Sequence, residues 1–176
     1  MKAQFNETLF FTATNLNWLP LLQSTTNKKH IIDCLNYLSI NNKCRIYAFV
    51  IMPNHIHLIL DLIQSDKSSF QSSFMRYTAN QCLINLRKTN SKYLSELRST
   101  QNDRKYHFWE RNPFWTHLRT EETMIQKIAY IHLNPVRKSY LKCKNGRDYY
   151  YSSAKSYADK TSHFDFLHLT CLNIDW

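Results

Sequence analysis

Glycine is almost absent: the chain of 176 residues has one, Gly146. Glycine-rich phosphate loops and dinucleotide-binding turns need several residues without a Cβ close to phosphate, so nucleotide chemistry of those kinds is excluded. Cysteine is sparse and poorly spaced. Cys34, Cys44, Cys82, Cys143 and Cys171 contain no C-x-x-C pair and their total is odd. This argues against a disulfide framework or a zinc knuckle and fits a reducing cytosol. No apolar run reaches membrane-spanning length, and Met1 to Phe11, with Lys2 and Glu7, lacks the long apolar core of a secretory signal. The expectation is a cytoplasmic protein with no membrane partner.

Acidic residues are also few, and the formal net charge is +10. Between residues 127 and 147 stand Lys127, Arg137, Lys138, Lys142, Lys144 and Arg147 with no acid among them. Residues 76 to 120 add nine basic side chains against Glu96, Asp103 and Glu110. Blocks of this kind suit a polyanion, since each neutralised phosphate releases counterions and adds sequence-independent affinity. A solubilising surface is the competing explanation. The length is that of one ordinary domain, assigned to residues 1–160, with 161–176 as a C-terminal tail.

Local patterns supply the elements. Thr8 to Thr14 is rich in β-branched and aromatic residues and reads as a strand. Thr26 to Ile40 carries an apolar stripe at helical spacing through Ile31, Ile32, Leu35, Tyr37 and Leu38. Arg45 to Met52 and His55 to Asp61 read as a hairpin turning at Pro53-Asn54. Ser68 or Ser69 can cap a long helix to about Leu86 that buries Phe70, Phe74, Tyr77, Cys82 and Leu86 or their neighbours. Residues 89–105 read as a polar loop with a short helical piece and His107 to Leu118 as a last strand interrupted at Pro113. Thr120-Glu121-Glu122 starts a final helix, and Pro135 disfavours helical geometry at Asn134, so the helix should end there. The order β-α-β-β-α-β-α is that of an α+β, ferredoxin-like (split βαβ) fold: an antiparallel sheet with helices on one face.

On this frame the spacing assembles chemistry. His55 and His57 alternate along a strand and project to one side, while Ile56 and Leu58 face the other. Two imidazoles so placed can share a divalent cation. Gln126, Tyr130 and Asn134 recur every fourth residue on a helix that also carries Ile125, Ile128 and Ala129, so they form one polar line. If that line faces the histidines, Asn134 or Gln126 can offer an amide oxygen as a third ligand, with the Tyr130 phenol beside the metal. A free phenol, with a pKa of about 10, is a poor nucleophile at neutral pH. A cation on a scissile phosphate would polarise the phosphorus and stabilise the departing oxygen. Each member has a structural explanation of its own. The H-x-H pair can be a hydrogen-bonded core feature, Tyr130 an amphipathic core residue and Asn134 a helix C-cap. His132 faces another side of the helix and suits packing or a structural hydrogen bond. His107 and His117 flank the last strand and suit structural or phosphate contacts. It is the combination that points to a nuclease.

Two long segments then resemble a known family. Tyr47-Ala48-Phe49-Val50-Ile51-Met52-Pro53-Asn54-His55-Ile56-His57-Leu58-Ile59-Leu60 is similar to the metal-binding segment of IS200-like transposases, above all the REP-associated tyrosine transposases. Tyr130-Ile131-His132-Leu133-Asn134-Pro135-Val136-Arg137-Lys138 is similar to their catalytic helix. Phe108-Trp109-Glu110-Arg111 resembles the family's last strand, and Tyr151-Ser152-Ser153-Ala154 the segment after the catalytic helix. The likeness runs from about Phe10 to Tyr157. Relatives usually carry a small residue and glycine after Pro-Val-Arg, where this chain has Lys138-Ser139-Tyr140.

The resemblance implies an HUH single-strand endonuclease and transposase that cuts and rejoins single-stranded DNA near hairpins through a 5′-phosphotyrosine and a free 3′-OH. It assigns Tyr130 as nucleophile, His55 and His57 as metal ligands, and Asn134 as a polar residue near the metal. The implied cation is Mg²⁺ or Mn²⁺, although imidazole donors alone would equally suit Zn²⁺ or Ni²⁺. Candidate DNA contacts are Arg76, Arg111, Arg119, Arg137, Lys138 and Lys142. Phe114, Trp115, Tyr149 and Tyr150 are candidates for stacking on unpaired bases, with core packing as the alternative. Some relatives form homodimers and others act as monomers, so both states are open here. The competing functions are a non-cleaving single-stranded nucleic-acid-binding module of the same fold, and a metal phosphodiesterase that attacks with water.

Overall fold

Strand formation follows the alternation in the sequence, and the register shows which residues share a face. The computed structural model describes residues 7–99, 105–138, 141–170 and 172. The readings made for Met1 to Asn6, for residues 100–104, and for Ser139, Tyr140, Cys171 and Trp176 lie outside them. Four strands, β1 (Leu9–Thr14), β2 (Cys44–Ile51), β3 (His55–Leu62) and β4 (Phe114–His117), form one antiparallel sheet in the order β2-β3-β1-β4. The helices are α1 (Thr25–Ile40), α2 (Lys67–Lys88), α3 (Glu121–Leu133) and the short α4 (Ala154–Ala158). This is the expected split βαβ arrangement.

Phe11, Ile56, Leu58, Phe49 and Ile51 point to one face and bury against Ile31 and Leu35 of α1 and Phe70 and Phe74 of α2. Phe10, Ile59, Ala48 and Val50 point to the other and bury against Met124, Ile128 and Ile131 of α3, with Tyr149 and Tyr157. Helices on one face therefore describe α1 and α2 only. α3 lies across the sheet from them, because the strands are apolar on both sides and each side needs a cover.

Several element ends differ from expectation for identifiable reasons. Asp66, not Ser68 or Ser69, caps α2: its carboxylate accepts from the Ser69 backbone N–H at 2.9 Å and from the Ser69 hydroxyl at 2.9 Å, adding charge where the helix dipole rewards it. Tyr77 is exposed, and the buried position is its neighbour Thr78. The Thr78 hydroxyl donates to the Phe74 carbonyl at 2.7 Å and accepts from the Trp109 indole at 3.1 Å, so a small polar side chain anchors the tryptophan.

The last strand is shorter than His107 to Leu118. Asn112 is in the left-handed region (φ 58°), and Pro113 has no N–H to give to a ladder. Residues 108–111 consequently stand outside the sheet apart from a single bridge between Trp109 and Asn15. α3 ends before Asn134 as expected, but Asn134 itself keeps helical angles (φ −56°, ψ −46°). The stop comes from Pro135, which cannot donate to the Ile131 carbonyl; the Asn134 N–H takes that carbonyl at 3.2 Å.

The outer edge of β2 is covered by chain that follows α3. Ile51 donates to the Tyr151 carbonyl at 2.9 Å, Ser153 donates to the Phe49 carbonyl at 3.0 Å, and His168 donates to the Ile46 carbonyl at 2.8 Å. Phe166 and Leu167 of the tail are buried in the first core. An edge that would otherwise invite pairing with another chain is thus occupied.

Candidate active site

The Pro53-Asn54 turn starts β3 at His55, with Met52 donating to the His55 carbonyl at 2.8 Å. The turn is fixed from outside: Asn15 donates to the Asn54 carbonyl and Leu22 to the Pro53 carbonyl, both at 2.8 Å. Alternation then sends His55 and His57 to the α3 face, where both are buried, with ring centroids 4.8 Å apart.

Each imidazole is oriented through Nδ1. His57 Nδ1 is 2.7 Å from the hydroxyl of Thr12, its cross-strand partner on β1, and His55 Nδ1 is 2.7 Å from Asn54 Oδ1. On its other side His55 Nε2 lies 3.3 Å from Asn134 Oδ1. Burial pushes the His55 pKa down to about 4, with Lys138 adding to the effect and the Asn134 contact opposing it. Burial pushes His57 down to about 3, with His55 and Lys127 contributing. Both rings are therefore neutral at pH 7 and have one N–H each. For His55 that proton belongs on Nδ1, the nearer to an amide oxygen. Its Nε2 lone pair then faces a second amide oxygen, two acceptors with no proton between them. His57 Nε2 is buried and, among the described residues, has no hydrogen-bond partner.

This donor set fits a small divalent cation. Two ligands about 2.1 Å from an octahedral ion and at right angles are about 3 Å apart, close to the His55–Asn134 separation. A cation would also resolve the facing lone pairs and supply the missing partner of His57. Among the described residues no group of three His, Cys, Asp or Glu side chains could hold a metal, so a third side-chain donor beside the two histidines would be of another type, such as an amide oxygen. Gln126 is exposed and eight residues before Asn134, about 12 Å along the helix; of the two amides, Asn134 is the one at the histidines.

Tyr130 is half-buried beside the pair, its ring 5.2 Å from that of His57 and 6.1 Å from Phe10. Among the described residues its hydroxyl makes no hydrogen bond. Two cations lie near the ring: Lys127 Nζ is 5.4 Å from its centroid and the Arg137 guanidinium 5.7 Å. Lys127 also sits over Phe10 at 4.8 Å. The phenol thus lies between a donor-rich pocket and fixed positive charge.

The other basic candidates separate by location. Lys138 is near enough to His55 to influence its titration. Arg76 and Arg111 instead line a groove of about 1040 Å³ between α2 and residues 105–113, together with Arg87 and Lys105. Arg119 and Lys142 are exposed, and nothing brings either to the histidines. Of the aromatics, Phe114 and Tyr150 are exposed, whereas Tyr149 is buried with its hydroxyl donating to the Ile51 carbonyl at 2.8 Å, and Trp115 packs on the first core. His132 is structural as expected, buried with Nε2 2.7 Å from the Ser153 hydroxyl.

Thr12, Asn54, Lys127 and Trp18 were not assigned to the site from the sequence. Asn54 and Lys127 had a local signal, one residue before His55 and one turn before Tyr130. Thr12 had none, because its role depends on strand register. Trp18 follows Asn17 in a turn where both have left-handed backbones (φ 57° and 52°), a conformation that costs roughly 1–3 kcal/mol per non-glycine residue. The Asn17 N–H is held by Glu110 Oε1 at 2.7 Å.

No family model matches the chain. It is similar to a Haemophilus influenzae protein named "Putative REP-associated tyrosine transposase", 26% identical over 157 residues that cover 81% of each chain. Its fold is similar to that of a REP-associated tyrosine transposase solved bound to a REP hairpin. That match has 20% identity and a TM-score of 0.60 and covers 99% of this chain and 93% of the other.

Proposed function

We propose that this chain is a member of the REP-associated tyrosine transposase family, whose proteins it resembles in sequence and in fold, and a metal-dependent enzyme that cuts and rejoins single-stranded DNA at hairpin-associated sequences. The observation that carries the reading is the convergence of His55 Nε2, Asn134 Oδ1 and the unpartnered His57 Nε2 beside the Tyr130 phenol.

His55, His57 and Asn134 would hold Mg²⁺ or Mn²⁺. When bound, the ion supplies positive charge to the scissile phosphate and the departing oxygen. The protein does the rest. Thr12 and Asn54 fix the imidazoles so that both Nε2 lone pairs stay available. Lys127 and Arg137 place charge close to the phenol, where phosphate oxygens would arrive. The Tyr130 oxygen loses its proton and attacks phosphorus; the P–O3′ bond breaks, and the oxygen leaves as a 3′-OH on taking up a proton. The 5′-phosphate remains esterified to Tyr130. That ester conserves the bond, so attack by another 3′-OH rejoins DNA without ATP.

Arg137 and Lys138 at the site, and Arg76 and Arg111 in the α2 groove, are the proposed phosphate contacts. Arg119 and Lys142 are assigned to a more peripheral part of the DNA surface. The test is cleavage of labelled hairpin DNA from the flanks of the gene, with Mn²⁺ or EDTA, by wild type and Tyr130→Phe. Metal-dependent cutting that needs Tyr130 supports the reading. Cutting retained in Tyr130→Phe would indicate activated water, and binding without cutting would indicate a non-cleaving module.

A further inference from the structure

An unbroken row of ring contacts runs across the histidine face of the sheet. Trp18 meets His55 at 5.8 Å, His55 meets His57 at 4.8 Å, His57 stacks on Phe10 at 5.3 Å, and Phe10 meets Phe114 edge-on at 6.5 Å. The middle three rings are buried, yet the two ends are open: Trp18 is 62% exposed and Phe114 57%. Tyr37 and Tyr150 are as bare; what sets Trp18 and Phe114 apart is that they end a row of rings crossing the candidate site.

The sheet explains why the ends are open. His57 pairs with Thr12, which also pairs with Phe114, so the three share one face and Phe114 stands two strands from His57, roughly 10 Å away. α3 packs on β2 and β3 and leaves Phe114 on β4 uncovered. Trp18 projects at the opposite end from the left-handed turn braced by Glu110; Asn54, which orients His55, also donates to the Trp18 carbonyl at 3.4 Å.

We infer that Trp18 and Phe114 are stacking platforms for the unpaired bases on the two sides of the phosphate held at His55 and His57. The inference rests on the single-strand substrate proposed above. The occupant follows from the juxtaposition of two bare aromatic side chains with the positive charge of Lys127 over Phe10 in the same row and of Arg137 over the adjoining Tyr130. A strand of alternating phosphates and flat bases meets both demands, whereas a duplex keeps its base faces stacked and could not use the aromatics. Both are positioning residues: they would set which phosphate reaches the site and favour unpaired over paired DNA.

The test is a binding cycle in EDTA, where cleavage plays no part. Wild type, Trp18→Ala, Phe114→Ala and Trp18→Tyr are titrated with a labelled 12-nucleotide single strand and with an abasic strand of the same length. Each alanine variant should weaken binding to the base-bearing strand roughly fivefold or more, leave the abasic affinity unchanged, and Trp18→Tyr should recover most of the loss. Equal losses on both strands, or none, would overturn the inference. So would alanine variants that convert a dimer to a monomer without changing base-dependent affinity, since the face would then be covered by a second copy. Loss of base dependence in a protein that never cuts DNA would uphold the inference while the nuclease reading fails; cutting with base dependence intact in both alanine variants would do the reverse.

Discussion

His55 Nε2 and Asn134 Oδ1 are 3.3 Å apart across 79 residues of sequence, and with His55 neutral and its proton on Nδ1 both atoms are acceptors. Repulsion between acceptors is costly in a buried site, so this pair is where the proposed cation would be held. It also bears on both readings of Asn134. The residue is the C-cap of α3, and its side chain serves the histidines at the same time.

Thr12→Val tests how the metal pair is oriented. The substitution preserves shape and removes the oxygen 2.7 Å from His57 Nδ1. Loss of such an orienting partner typically costs ten- to a hundredfold in metal affinity or activity. Mn²⁺ titration and cleavage rates should both show a drop in that range, and an unchanged Mn²⁺ affinity would contradict the assignment.

Gly146→Ala should destabilise the fold without touching the site directly. A Cβ at residue 146 would run into the backbone carbonyl oxygen of His132 near the end of α3. Overpacking of this kind costs about 1–3 kcal/mol, which would appear as a lower urea midpoint. An unchanged midpoint would show that the segment after α3 can shift freely.

Acid should destabilise the metal-free protein. Burial pushes His132 down to about 3, His57 to about 3 and His55 to about 4, whereas in the unfolded chain each titrates near 6.5. Between about pH 6.5 and 3 the unfolded chain therefore binds more protons. Stability falls as pH drops through that window, by up to about 1.4 kcal/mol per pH unit for each histidine, and this contribution levels off below it. Urea unfolding in EDTA at pH 7, 6 and 5 should show the decline; a flat or rising profile would contradict it.

The legible part of this molecule was its local pattern. Strands, the His55/His57 alternation and the 130/134 helical spacing follow from periods of two and about four, which any homogeneous segment displays. What depended on distant chain was not legible. Pro113 announced an interruption, but Trp109 reaching Thr78 and so remaining outside the ladder required knowing where α2 lies. Tyr77 and Thr78 are equally compatible with the α2 stripe, and the Trp109 indole is what selects the threonine. The expectation of helices on one face missed α3, although strands apolar on both sides are visible in Phe10-Phe11 and in Ile56 to Leu60. The partner of His57 and the placement of Trp18 arise from register and from a strained turn, neither of which has a periodic signature.

Salt dependence separates the proposed phosphate contacts. Arg137→Ala and Lys138→Ala at the site, and Arg76→Ala and Arg111→Ala in the α2 groove, should each flatten the slope of log affinity against log salt by about 0.7 for a single strand. A variant that weakens binding with an unchanged slope would remove that residue from the phosphate contacts.

The most direct test of the central claim is intact-protein mass measurement after incubation with a single-stranded hairpin oligonucleotide from the gene's flanks and Mn²⁺, followed by peptide mapping. The account predicts a mass increase equal to the 3′-side fragment with its 5′-phosphate less one water, located on the peptide containing Tyr130 and absent with EDTA or in Tyr130→Phe. Cleaved DNA with no added mass on the protein, or an adduct on another residue, would contradict it.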